Sequence, residues 1–219
     1  MGRGPVGAPA IIRYVNNSVS EVDSVSASAG LTDDMVLIKT LTASSDSDLS
    51  FLDGSDDVVL DSTYPIYKFV FINLHPATDD TRLTFQSDTG TNTSYNQTIT
   101  STCFQAKHSE ADDDSGLAYQ AGNDQAQGTA FQRITDSIGN ANDASAVGSL
   151  YIFNPSSSTY VKHFICRTQH MVGSSGVGSK DLYYAGYFNT TTALTRFQFK
   201  MASGNIDAGT IKLYGIKDS

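Results

Sequence analysis

The glycine-rich run at residues 173–180, GSSGVGSK, contains the small residues and the lysine that cradle a phosphate group in nucleotide-binding proteins. In a phosphate-binding loop the lysine precedes the serine or threonine, and the N-terminus of a following helix faces the phosphate. Here the serine precedes Lys180, and the next residues, DLYY, have the character of a β-strand. The order therefore predicts a loop between strands, not a nucleotide site.

Carboxylates are a second source of chemistry, and they come in short runs: Asp33-Asp34, Asp56-Asp57, Asp79-Asp80 and Asp112-Asp113-Asp114. Oxygen ligands in loops can hold Ca²⁺, but none of these runs has the alternating spacing of a calcium-binding loop. Aspartate is also a favoured turn residue, so the pattern favours solvated turns over a calcium site.

Histidines supply the remaining metal-ligating chemistry, at His75, His108, His163 and His170. No two of them are close enough in sequence to form a ligand pair, and we expect each at the surface or between strands. We predict no metal, no cofactor and no catalytic residues, because neither a nucleophile motif nor an acid–base pair is recognisable.

The aromatic residues Tyr183, Tyr184, Tyr187 and Phe188 form the best candidate for a ligand platform. A strand alternates its side chains, so Tyr183 and Tyr187 are expected on one face and Tyr184 and Phe188 on the other. Half of the cluster then belongs to the core. The chain has no tryptophan, which offers the largest ring for stacking on a sugar, and this weakens the case for a dedicated lectin.

Charge and length narrow the class of protein. The 219 residues include 14 Lys and Arg against 23 Asp and Glu, a formal net charge of −9. Nucleic acids and anionic membranes require a cationic surface, so we expect neither as a partner. The sequence contains no apolar run that could span a membrane or act as a signal peptide, and we expect folding in a cytoplasm. Cys103 and Cys166 are then predicted to be two buried thiols rather than a disulfide.

Strand-like segments recur about every ten residues from position 35 onward, separated by turn residues. In the last of them Phe197, Phe199 and Met201 alternate with polar side chains, the period of a half-buried strand. Residues 131–138 fit a strand or a short helix, and we favour the strand. The predicted fold is all-β: an antiparallel, jelly-roll-like β-sandwich of eight to twelve strands, spanning residues 34–219.

Residues 1–33 differ from the sandwich and are predicted to form an N-terminal arm for attachment or oligomerisation. The apolar residues predicted to make the attachment are Ile11, Ile12, Val15, Val19 and Val22. The last four are spaced by 3, 4 and 3 residues, which is the seam of a short coiled coil. The surrounding Asn and Ser residues are poor helix formers, so an extended arm that orders against a partner is favoured.

Three strings resemble small virion proteins of tailed bacteriophages, especially marine and cyanobacterial ones: YKFVFINLHPATD at 67–79, LYIFNPSSST at 150–159 and FKMASGNIDAGTIKLYGI at 199–216. The resemblance extends over roughly residues 36–216. It implies a β-sandwich displayed on a virus particle as a decoration protein, head fibre or tail fibre. These strings describe strands and turns, so the family offers no functional residues to carry over, and the arm lies outside the match.

The resemblance implies a non-enzymatic virion protein, assembled in the host cytoplasm, whose partners are capsid or tail proteins. Such proteins are often homotrimers. The short length slightly favours capsid decoration or a head fibre. A tail-fibre tip is the alternative, with its receptor site in the loops at residues 111–116 and 173–180. A module that binds a host surface glycan and a hydrolase on a β-scaffold are the other hypotheses.

Overall fold

The computed structural model describes residues 12–15, 18–22, 34–173 and 176–218. Contacts between Cα atoms divide the chain into two compact units, Met1–Asp34 and Met35–Ser219. The described residues contain fourteen β-strands: β1 (Ile12–Val15), β2 (Ser18–Val22), β3 (Met35–Asp46), β4 (Leu49–Leu52), β5 (Ile66–Pro76), β6 (Leu83–Thr89), β7 (Ile99–Ser109), β8 (Ser115–Tyr119), β9 (Gln132–Arg133), β10 (Ala146–Phe153), β11 (Lys162–Met171), β12 (Gly178–Phe188), β13 (Leu194–Met201) and β14 (Ile206–Ile216). None of the described residues forms a helix long and apolar enough to cross a membrane.

The first unit contains an antiparallel pair of strands, β1 and β2, in which Ile12 lies opposite Val22 and Val15 opposite Ser18. The coiled-coil alternative is therefore wrong for these residues. Ile and Val are stiff at χ1 and fit a pleated strand, so their 3-4-3 spacing reflects β-branched residues and not a helical seam. Val19 lies opposite Tyr14, and Ile11 lies outside the described residues.

The second unit is an antiparallel sandwich of two sheets. The larger has eight strands in the order β3-β14-β5-β10-β11-β12-β7-β8, and the smaller has four in the order β4-β13-β6-β9. The predicted all-β, jelly-roll-like sandwich is confirmed. Residues 132–133 form the short strand β9 and Ile138 forms isolated bridges, so the strand interpretation of 131–138 was the correct one, although the strand itself has two residues.

Phenylalanine rings fill the space between the sheets. Phe69 of the larger sheet contacts Phe199 and Phe197 of the smaller sheet, with ring centroids 5.0 and 5.4 Å apart. Further along, Phe85 of the smaller sheet contacts Phe164 and Phe188 of the larger, at 5.3 and 5.9 Å. The inward residues of each strand thus interlock with those of the opposite sheet, as the period of two requires.

Buried glutamines hold the long connection between β8 and β9. The Gln86 Nε2 donates hydrogen bonds to the carbonyl oxygens of Gln97, Thr129 and Ala130, at 3.0, 3.2 and 3.0 Å. Gln132 accepts a bond from the Ser101 hydroxyl at 2.7 Å. These side chains provide several carbonyl oxygens with hydrogen bonds that a ladder would supply in a strand, so an irregular segment can lie against the core.

Candidate functional site

Strand alternation divides the predicted aromatic platform between two environments. Tyr183 and Tyr187 lie on the outer face of the eight-stranded sheet, and both are partly buried. Tyr184 and Phe188 point inward and are fully buried in the core. The core pair is therefore removed from the candidate site, because a side chain packed between the sheets cannot contact a ligand on the outside.

A row of stacked groups crosses the outer face at Tyr183. Phe104 of β7 and Arg167 of β11 are the cross-strand neighbours of Tyr183 on β12. The rings of Phe104 and Tyr183 are nearly parallel, 4° apart, with centroids separated by 4.7 Å. The Arg167 guanidinium lies 4.9 Å from the Tyr183 centroid. Because β12 lies between β7 and β11, both faces of the Tyr183 ring are covered by protein.

Asp181 fixes the end of this row. Arg167 Nη2 and Nε donate to the Asp181 carboxylate at 2.7 and 3.1 Å, and the Tyr183 hydroxyl donates to it at 3.1 Å. The hydrogen bond and charge of Asp181 raise the pKa of Arg167. A bidentate pair of this kind orients the guanidinium, so Arg167 is held flat against the ring rather than extended into solvent.

A second row runs parallel to the first, two side chains further along each strand. It contains Tyr187 and His163, whose rings meet edge to face with centroids 6.0 Å apart. Between the rows lie the smaller side chains of Thr102 and Ala185, with Ile165 beside them. Two adjoining hollows of about 340 and 490 Å³ occupy this position.

The outer face continues to β8, which forms one edge of the sheet. All five residues of β8 are exposed, and the side chains of Leu117 and Tyr119 are 73% and 57% exposed. Tyr119 is the cross-strand neighbour of Phe104, so aromatic residues continue along this row to the edge strand. Together Phe104, Leu117, Tyr119, Ile165 and Tyr183 form what we call the outer apolar face.

The two loops predicted to contact a receptor lie side by side at one end of the sandwich. The Glu110 amide donates to the Val177 carbonyl oxygen at 3.0 Å, and Gly178 lies opposite Ser109. Lys107 Nζ pairs with Asp114 Oδ2 at 2.5 Å, and the His108 ring lies 3.2 Å from Asp112. Among the described residues no group of three or more His, Cys, Asp or Glu side chains converges on a metal-sized site.

The four histidines lie in different environments, and three of them agree with the sequence prediction. His108 and His163 are exposed, and His75 Nδ1 contacts the Ala144 carbonyl oxygen at 2.7 Å. His170, however, is fully buried on the inner face of β11, so its placement at the surface or between strands is corrected. The signal was present in the sequence: Phe164, Cys166, Thr168 and His170 share one face by alternation.

The two cysteines are free and buried, as predicted. Each lies opposite Tyr184 from a different side, Cys166 on β11 and Cys103 on β7. Two strand spacings, about 10 Å, separate them, which exceeds the reach of a disulfide. Burial raises the pKa of the Cys103 thiol to about 11 and raises the pKa of Cys166 further.

Comparison of the chain with known protein families, with curated proteins and with solved structures finds no match. The outer face of the larger sheet combines aromatic rings, aliphatic side chains and one oriented ion pair on an open surface.

Proposed function

We propose that this chain is a non-enzymatic structural protein of a tailed-bacteriophage virion, a β-sandwich displayed on the particle and attached through residues 1–33. The observation that carries the proposal is the outer apolar face. Capsid decoration or a head fibre is the form that we favour, assembled from chains that fold in the host cytoplasm. The sequence resemblance to small virion proteins supports the same conclusion.

The outer apolar face is an assembly surface by its composition. Leu117, Tyr119 and Ile165 are more than half exposed, and Phe104 is 44% exposed. Large contiguous apolar patches are uncommon on proteins that act alone, because water contact with each costs free energy. A neighbouring capsid or tail protein, or another copy in a homotrimer, would remove this face from water.

Immunogold labelling of purified particles, combined with mass spectrometry of their proteins, tests the proposal. We expect the chain among the particle proteins, with gold distributed over the head. Gold confined to the tail would replace the decoration role by a fibre or tip. Absence of the chain from purified particles would overturn the virion assignment altogether.

A pair of matched substitutions tests the role of the face. Leu117→Asp places a charge on the outer apolar face, whereas Tyr160→Asp changes a side chain that is equally exposed, 71% against 73%, but lies outside it. We expect only Leu117→Asp to reduce incorporation into particles, with both proteins folded by circular dichroism. Equal incorporation of the two variants would contradict assembly through this face.

Light scattering tests the homotrimer. Three copies of the 23.4 kDa chain have a mass of about 70 kDa.

Deletion of residues 1–33 separates the two parts of the proposal: we expect a folded sandwich that no longer joins the particle. Ile11, Ile12, Val15, Val19 and Val22 are the arm residues proposed to make the attachment. Unfolding of the remainder would mean that the arm belongs to the core.

A tail-fibre tip is the second candidate, favoured by the adjacency of the predicted receptor loops at 111–116 and 173–180, where the Glu110 amide bonds to the Val177 carbonyl oxygen. Asp113→Ala and Val177→Ser change these loops without touching the core. If the chain is a tip, both variants fold normally and particles carrying them lose adsorption to host cells. Normal adsorption would exclude these loops as the receptor site.

A host surface glycan, bound by the predicted aromatic platform, is the alternative with the least support. Sugar rings stack on open aromatic faces, yet both faces of Tyr183 are covered by Phe104 and Arg167. Tyr187 is the remaining ring of the predicted set that could stack on a sugar. A glycan array with wild type and Tyr187→Ala tests glycan binding. Binding that is lost in Tyr187→Ala would support this alternative, and no binding by the wild type would exclude it.

A further inference from the structure

His170 is a titratable side chain that the outer face and the loops do not use. It lies on the inner face of β11 and is 0% exposed. Within the described residues neither ring nitrogen makes a hydrogen bond of normal geometry. A neutral imidazole tolerates such a position at a modest cost, whereas an imidazolium would leave two donors and a charge without compensation.

Residues 134–139, which we call the covering segment, close this end of the sandwich over β11. The Thr168 hydroxyl donates to the Ile134 carbonyl oxygen, and the Gly139 amide donates to the Met171 carbonyl oxygen at 3.1 Å. A β-bridge joins Ile138 to Val172. The covering segment is thus held to β11 on both sides of His170 by a few hydrogen bonds and not by a continuous ladder.

The charges around His170 act in opposite directions: after burial, the charge of Lys180 lowers its pKa, and that of Asp136 raises it less. Lys180 lies opposite it on β12, and on its other side β10 presents the uncharged Ala146. Asp136, in the covering segment, already accepts bonds from Lys180 Nζ at 2.7 Å and from Arg82 Nε at 3.3 Å. A protonated His170 would be the third cation around one carboxylate. Burial, followed by the charge of Lys180, lowers the pKa of His170 to about 4.

We propose that His170 is an acid-sensitive latch: its protonation releases the covering segment from β11 and loosens the adjoining β11–β12 end while the rest of the sandwich stays folded. Two features carry the proposal. The imidazole is buried beside an ammonium group, and its ring nitrogens make no hydrogen bond of normal geometry. The segment above it is joined to β11 by isolated hydrogen bonds, while separate bonds to Thr81 and Leu83 hold it on its other side. The latch is independent of the virion assignment.

The direction of the pH effect on the latch follows from the number of protons that each form binds. A released His170 binds a proton near its ordinary pKa of 6.5, and the latched one only near 4, so acid favours the released form between these values. At pH 4.5 the two pKa values correspond to an increase of about 80-fold in the ratio of released to latched protein. Well above pH 6.5 the latch is unaffected by His170, and well below pH 4 the effect no longer grows.

Hydrogen–deuterium exchange of the full chain between pH 7 and pH 4.5, corrected for intrinsic rates, tests the latch. We expect amides of residues 134–139 and 168–173 to lose protection by up to about 80-fold, while amides of β13 keep theirs. In His170→Leu this local loss should disappear. His163→Gln, which changes an exposed histidine on the outer face of the same strand, should behave as wild type.

Equal loss of protection in wild type and His170→Leu would overturn the proposal, as would simultaneous loss in β13. If His170→Leu does not fold, an NMR titration of the wild-type imidazoles replaces it. Titration of His170 below about pH 5, accompanied by shift changes in the covering segment, supports the latch. Titration near its ordinary value of 6.5 refutes it.

Discussion

Replacing Phe199 by alanine removes the ring that joins the two sheets of the sandwich. Phe199 is fully buried on β13, and its centroid lies 5.0 Å from that of Phe69 and 5.5 Å from that of Phe71, both on the larger sheet. It also contacts Phe51 and Phe85 of its own sheet, at 6.1 and 6.2 Å. Truncation of a buried phenylalanine costs about 3–5 kcal/mol, and four ring neighbours that cannot collapse into the space place this site at about 4–5 kcal/mol.

Equilibrium unfolding in urea measures this loss directly. For a domain of this size, about 4 kcal/mol corresponds to a fall of roughly 8–16 °C in Tm. Phe199→Leu keeps most of the volume and should lose about 1–2 kcal/mol. An unchanged slope of free energy against urea concentration would show that the comparison reports stability and not a change in the unfolded state.

Phe104→Ala is the matched control, since it removes the same ring from the outer face. Phe104 is nearly half exposed and stacks on one ring, that of Tyr183. We expect a loss of about 1 kcal/mol or less. Similar losses for Phe199→Ala and Phe104→Ala would refute the assignment of the aromatic layer as the core that holds the sheets together.

Three further predictions concern the backbone, the thiols and acid stability. Gly209→Ala should lower the free energy of unfolding by about 2–4 kcal/mol, because at φ +111° the added Cβ would lie 2.5 Å from a backbone oxygen of β5. Gly54→Ala, at φ +75° with open space around it, should lower it by only about 1 kcal/mol. Equal losses of stability in thermal unfolding would contradict the clash. Cys103 and Cys166 should not react with a thiol reagent at pH 8 in the native protein and should both react in guanidinium chloride, since burial raises the pKa of each; rapid native labelling would show that the inner face is open. Asp136→Asn should lower stability by about 2 kcal/mol at pH 7. Burial opposes ionisation of the Asp136 carboxyl, but its two cationic partners outweigh burial and lower its pKa, so the contribution is present above the ordinary pKa and is lost as pH falls through the lowered one; a difference between variant and wild type that persists in strong acid would refute this.

The period of two in the sequence is sufficient to predict most strands and the direction of their side chains. It places Tyr183 outward and Tyr184 inward, and it groups His170 with the core residues of β11. A periodic pattern is ambiguous where one spacing fits two structures: the apolar residues from Ile12 to Val22 lie in strands but also have the spacing of a coiled-coil seam. Strands of two residues, such as β9, are too short for any periodic signal.

The partners of each strand could not be predicted, because they depend on contacts that are distant in sequence. The row formed by Phe104, Tyr183 and Arg167 exists only because three strands pair in one register. The covering segment and the glutamines that hold the β8–β9 connection likewise become visible only when the sheets are assembled. Side-chain chemistry alone therefore predicts candidates for a site, and strand order decides which of them meet.

The position of β14 has a consequence for how the protein is made. β14 lies between β3 and β5, and Ile216 pairs with Met35, a residue synthesised some 180 positions earlier. Until residue 216 has left the ribosome, the nascent chain carries β3 and β5 with unsatisfied edges facing each other across a gap. Contacts of such long range close slowly, and open edges recruit other strands during the delay. A chain released before residue 206 leaves the gap unfilled, so the larger sheet cannot be completed until β14 has been synthesised.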